Sequence, residues 1–89
     1  MSIQNLLDFF CNTNKKFTSY ISLNDRELYE NVIKKNNGFI LDEEELNKST
    51  FGTFKNFFYN SKAHHKYKFG VLFSYDIKED SYFIIALKR

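Results

Sequence analysis

The sequence has no tryptophan and no proline, and its 89 residues include one methionine, one cysteine, three glycines and two arginines. Each scarcity excludes something. A lone cysteine, Cys11, cannot close an intramolecular disulfide, so a secreted miniprotein held by bridges is excluded. The glycines at 38, 52 and 70 form no loop that could cradle a phosphate. Two arginines against eleven lysines argue against base-specific readout of DNA, because Arg is the commonest contact to guanine. No stretch approaches the ~18 apolar residues of a membrane span. The first five residues lack the basic and apolar regions of a signal peptide, which sets the expectation of a cytoplasmic chain with no membrane partner. No repeat, linker or low-complexity run divides the chain.

What is present describes one globular domain, 1–89. Hydrophobic residues make up 43% and charged residues 27%, a folded and not a disordered composition. Eleven Phe and six Tyr are more rings than one small core readily hides, so some are expected on a surface that meets a partner. The excess of lysine and asparagine reads as the codon bias of an AT-rich genome, such as a low-GC bacterium, its phage or a mobile element.

Periodicity supplies the elements. Ile3, Leu6, Leu7 and Phe10 recur at helical spacing over 3–11, with Ser2 as N-cap. Residues 16–23 alternate, placing Phe17, Ser19, Ile21 and Leu23 on one face of a strand. Asn24 and Glu27 have the spacing of a capping box, and Leu23 and Leu28 that of a hydrophobic staple. The helix they open would bury Leu28, Val32 and either Tyr29 or Ile33, and end at Asn37-Gly38. Asp42, Glu45, Leu41 and Leu46 repeat the pattern, predicting a third helix from 42 that breaks near Ser49-Thr50 and Gly52. A fourth helical segment over 50–62 aligns Phe51, Phe54 and Phe58. Residues 66–75, with Tyr67, Phe69, Val71, Phe73 and Tyr75 pointing one way, pair with 81–88 in a terminal hairpin whose turn contains no glycine.

The fold class is therefore α+β: three to four short helices, a C-terminal antiparallel hairpin and a third strand. The element order matches a winged helix-turn-helix layout, with 42–48 as positioning helix, 50–62 as recognition helix and 68–88 as wing. The competing arrangement packs all helices on one face of a three-stranded antiparallel sheet built from 17–23, 67–75 and 81–88.

Few residues form a chemical constellation. His64-His65 are adjacent, and neither a helix nor a strand presents neighbouring side chains to one ion, so no metal site is expected. Acids at 42–45 suit a helix N-terminus. Cys11 on the apolar side of an N-terminal helix reads as a small buried hydrophobe and not as a nucleophile. No catalytic set and no cofactor motif appears, and the expectation is a binding protein that is not an enzyme.

Charge is the most informative feature. From Leu46 to Tyr75 there is no acid, while residues 24–45 carry seven acids and three bases. One expectation is a nucleic-acid-binding regulator that uses Lys48, Lys55, Asn56, Tyr59, Asn60, Lys62, Lys66 and Lys68 in the basic aromatic segment 46–75. The alternative is a phage-type inhibitor or adaptor that grips a host protein through Asp42, Glu43, Glu44, Tyr59 and Tyr82. The position of the exposed rings discriminates: beside lysines they favour nucleic acid, beside acids a protein. A homodimer through Tyr82, Ile84 and Ala86 is a further expectation.

Overall fold

A computed structural model describes residues 3–42, 51–60, 62 and 65–89. The expected cap Ser2, most of the helix predicted from 42, the acids Glu43, Glu44 and Glu45, Lys48, His64 and the side chain of Phe51 lie outside the described residues.

The described residues form a small α+β domain with three α-helices and a four-stranded mixed sheet. In order run α1 (Ile3–Cys11), β1 (Lys16–Ser22), a short 3-10 turn (Leu23–Asp25), α2 (Arg26–Lys35), β2 (Gly38–Asp42), α3 (Phe51–Asn60), β3 (Phe69–Asp76) and β4 (Ser81–Lys88). The sheet order is β1-β4-β3-β2. β4 pairs antiparallel with both β1 and β3, and β2 pairs parallel with β3, from Gly38 opposite Phe69 to Asp42 opposite Phe73.

Alternation along the central strands sends side chains to both faces, and each face has its own core. On one, α1 and α2 lay Leu6, Phe9, Tyr29 and Ile33 against Ile21, Phe69, Val71, Phe73, Ile84 and Ala86. On the other, Phe54 and Phe58 of α3 cover Leu41, Leu72, Ile85 and Leu87. Two glycines let the layers close. A Cβ on Gly38 would stand 2.6 Å from the Phe69 ring, and one on Gly70 would stand 2.7 Å from Phe39 and 3.0 Å from Phe58.

The predicted α1, β1, β3, β4 and Phe54/Phe58 stripe are present. Several expectations are corrected. Asp42 is the last residue of β2, a strand the sequence reading missed, so among the described residues the sheet has four strands and not three, and helices cover both faces and not one. The hairpin that a winged helix would extend as a wing supplies the two central strands. β4 is thus no exposed strand: Ile84 and Ala86 are fully buried, which removes the expected dimer edge. α2 begins one residue later than expected, at Arg26 after the 3-10 turn, with no side-chain cap hydrogen bond. Its buried residues are Tyr29 and Ile33, while Leu28 is 50% exposed. At its end Asn37, not Gly38, takes the left-handed conformation, with φ 62°.

No helix among the described residues is long and apolar enough to cross a membrane.

Candidate functional site: a basic cleft

The strand registers gather charge at the two ends of the sheet. Lys16 lies opposite Leu87, Phe69 opposite Lys88 and Gly38 opposite Phe69, so the starts of β1, β2 and β3 and the end of β4 share one end. α1 and α2 finish there too, bringing Cys11, Asn36 and Asn37 to the same place, with Cys11, the last residue of α1, exposed and not buried as expected. Between these helix ends and the sheet lies a cleft of about 670 Å³, within the range of ligand sites. Phe10, Cys11, Asn36, Asn37, Tyr67 and Phe69 line it together with His65, Lys66, Lys68, Lys88 and Arg89. No aspartate or glutamate is among its described lining residues.

The cleft wall is held by its own backbone. Asn37 does most of this: its carbonyl accepts from the Lys68 amide at 2.9 Å, and its side-chain amide donates to the Lys66 carbonyl at 3.1 Å. The left-handed turn at Asn37 aims both groups at the 66–68 segment. Arg89 holds the same segment from the other side. Its Nε donates to the Tyr67 carbonyl at 3.2 Å, one Nη donates to the Phe58 carbonyl at 3.0 Å, and the guanidinium lies 4.3 Å from the centre of the Phe58 ring. Lys88 caps α1, donating to the carbonyls of Phe9 and, at 2.6 Å, Asn12. Burial, then the charge of nearby Lys15, lowers the proton affinity of the Lys88 amine below that of an ordinary lysine. Lys15 in turn donates to the Arg89 carbonyl at 2.7 Å, adding a further cation to the rim.

Lys62, His65, Lys66 and Lys68 are exposed. Lys66 reaches over the Tyr67 ring, 5.3 Å from its centre. Tyr67 is half-buried, with its ring 5.2 Å from that of Phe39. Beyond Tyr67 and Asn37 a second hollow, about 560 Å³, runs along β2 past Lys34, Phe39 and Ile40 towards Glu30 and Asp42.

The structure divides the residues singled out from sequence. Lys66 and Lys68 line the cleft, and Lys62 stands one turn before it, its carbonyl accepting from the His65 amide at 3.3 Å. Lys55, Asn56 and Asn60 are exposed on α3 and are not in the cleft lining. Tyr59 packs into the α3 core and donates to the Lys88 carbonyl at 2.9 Å. The proposed protein-binding set does not converge. Tyr59 packs on one face of the sheet and Tyr82 on the other, where Tyr82 lies 4.7 Å from the Arg26 guanidinium. Asp42 is paired with that same guanidinium. Sequence reasoning missed Phe10, Asn36, Asn37, Lys88 and Arg89, which join the cleft only through strand register and helix ends.

The opposite end of the sheet has the reverse character. Asp76 accepts at one oxygen from the amides of Lys78 and Glu79 and at the other from the Tyr20 hydroxyl, at 3.0 Å. The Tyr75 hydroxyl donates to Asp80 at 2.7 Å. These carboxylates hold both phenols above their ordinary pKa, the hydrogen bond being the main cause in each. Tyr20 is 47% and Ile77 80% exposed there.

Both arginines serve the scaffold. Arg26 lies 4.6 Å from the centre of the Phe73 ring, donates to Glu30 at 2.9 Å and pairs with Asp42. Burial opposes its charge, and the bonds to Glu30, Asp42 and Tyr82 outweigh that, raising its pKa. Among the described residues no group of three metal-ligating side chains converges.

No protein-family model, curated protein or solved structure matches the chain.

Proposed function

We propose that the protein is a non-enzymatic nucleic-acid-binding protein and that the basic cleft is its binding face. One observation carries the reading: the exposed Lys66 and Lys68, with His65, Lys88 and Arg89, line a concave surface whose described lining contains no acid. A polyanion that neutralises such a set releases its condensed counterions, which favours binding and makes it depend on salt. The half-buried rings of Phe10 and Tyr67 in the lining suit bases better than they suit a bare phosphate. A recognition-helix mode would use Lys55, Asn56 and Asn60 on α3, and it offers one lysine where the cleft lining offers three.

The test is a fluorescence-anisotropy titration of labelled oligonucleotides at salt concentrations from about 50 to 200 mM. The expected result is binding that weakens steeply with salt. In a Lys66→Ala/Lys68→Ala variant, affinity and salt slope both fall, whereas Lys78→Ala at the far end changes neither. Equal loss from the two variants, or no binding at low salt, contradicts the reading.

A second reading has its own observation. The exposed rings Tyr20 and Tyr75 stand beside Asp76 and Asp80, the combination expected of a surface that meets a basic protein. It becomes the leading reading if the oligonucleotide titration shows no binding.

A further inference from the structure

We infer that the ligand of the basic cleft is a single strand of nucleic acid, bound with little sequence preference, with phosphates on Lys66 and Lys68 and a base stacked on Tyr67. This rests on the nucleic-acid reading above and narrows it.

Shape comes first. Reading a duplex takes an element that projects into a groove, a helix or a two-stranded ribbon. The lysines gathered here line a hollow between the ends of α1, α2 and the sheet, and none of the described helices or strands is centred on it. A flexible strand can enter such a hollow.

Tyr67 is the second observation. With Asn37 it borders both hollows, so a chain passing from one to the other crosses the ridge these two residues form. The ring is fixed before any ligand arrives. Phe39 packs at 5.2 Å, Arg89 and Asn37 hold the backbone of 66–68, and Lys66 sits 5.3 Å from the ring centre. A fixed ring with a cation beside it is the element that sequence-tolerant single-strand binders use, because every base has a π-face.

The third observation concerns specificity. Bidentate reading of guanine is the work of Arg. Arg26 is held between Phe73, Tyr82, Glu30 and Asp42 on the far part of the sheet, and Arg89 spends its donors on the carbonyls of Tyr67 and Phe58. The outward cations of the cleft are lysines, which meet phosphate as point charges. At the β2 end of the second hollow Glu30 and Asp42 would repel a phosphate, so the strand is expected to leave the protein before reaching them.

The experiment compares a labelled thymidine homo-oligonucleotide, a mixed-sequence strand, a duplex of the same length and inorganic polyphosphate, against wild type, Tyr67→Phe and Tyr67→Leu. Both single strands should bind alike and about tenfold or more tighter than duplex or polyphosphate. Tyr67→Leu keeps an apolar group against Phe39 but removes the stacking face. It should lower single-strand affinity roughly 5- to 100-fold with the salt slope unchanged, while Tyr67→Phe binds as wild type. Ultraviolet crosslinking of the wild-type protein to the bound strand should mark Tyr67, which keeps the test sound if Tyr67→Leu folds poorly. Equal or tighter duplex binding, indifference to Tyr67→Leu in a folded variant, or crosslinks confined to Tyr20 or Tyr75 would overturn the inference while leaving a nucleic-acid role standing. Failure of every nucleic acid to bind overturns both.

Discussion

The Lys68 amide donates to the carbonyl of Asn37 at 2.9 Å, across a separation of 31 positions, and that bond ties the end of α2 to the entrance of β3. Asn37 makes it from a left-handed conformation with φ 62°, and uses its side chain on Lys66 as well. Two lysines of the cleft thus owe their position to one asparagine.

That arrangement separates conformation from contact. Asn37→Ala places a residue with no local hydrogen bond in the left-handed region and should cost about 1–2 kcal/mol. Asn37→Gly tolerates the conformation and should lose less than half as much stability in a urea titration. It also removes the bond to the Lys66 carbonyl, so it should weaken oligonucleotide binding about 2- to 10-fold through the cost of ordering the loop. Equal stability for the two variants would count against this role.

Arg26 predicts the second effect. Its guanidinium lies over Phe73 and Tyr82 and bridges Glu30 to Asp42, with a fifth of the side chain exposed. Arg26→Lys keeps the charge but loses the planar fork that serves both carboxylates and both rings. Stacking and screened pairing of this kind suggest a loss of about 1–2 kcal/mol. At roughly 4–8 °C per kcal/mol for a domain this small, the melting temperature should drop by about 4–16 °C. Binding at temperatures where the variant is folded should be unchanged, because Arg26 is remote from the cleft.

Gly70 supplies a packing test. An alanine there would bring its Cβ to 2.7 Å from Phe39 and 3.0 Å from Phe58. Both rings sit in the layer that joins α3 to the sheet. Overpacking of this kind costs about 1–3 kcal/mol, to be read from thermal or urea unfolding. A stable Gly70→Ala protein would mean that α3 seats less tightly than described.

The hairpin end predicts a pH effect. Tyr20 donates to Asp76, which raises its pKa above the ordinary 10.0. A raised folded value means that the bond contributes fully below the ordinary range and that its contribution vanishes as pH climbs through the folded value. Tyrosinate absorbance, with Tyr20→Phe to assign the signal, should place Tyr20 late in the titration. Asp76→Asn should move it earlier by removing the negative charge while keeping the turn.

Much of this architecture can be read along the chain, for identifiable reasons. α1 and the 69–88 hairpin declare themselves by strict period, and Phe54 and Phe58 by their spacing. β2 did not. Its Gly38-Phe39-Ile40-Leu41-Asp42 is short, and the helix-start spacing of Leu41, Asp42, Glu45 and Leu46 overlaps its end. Parallel pairing with residues about 31 positions away defines it, which no local pattern announces, and Asp42 pairs with Arg26. The burial expected of Leu28 failed too: Tyr29 and Ile33 are the buried residues of α2, and Leu23 and Leu28 are exposed. For the site, the lack of acids between 46 and 75 pointed to Lys62, Lys66 and Lys68. Lys88 and Arg89 are distant in sequence, yet the expected pairing of 66–75 with 81–88 already implied that the end of β4 lies beside the start of β3.

The most direct measurement is amide chemical-shift mapping of the full chain titrated with a short single-stranded oligonucleotide. The account predicts perturbations concentrated at Asn36, Asn37, His65 to Phe69, Lys88 and Arg89, fading as salt is raised, with the 76–80 turn unmoved. Shifts centred on Tyr20, Tyr75 and that turn, or no shifts at low salt, would contradict it.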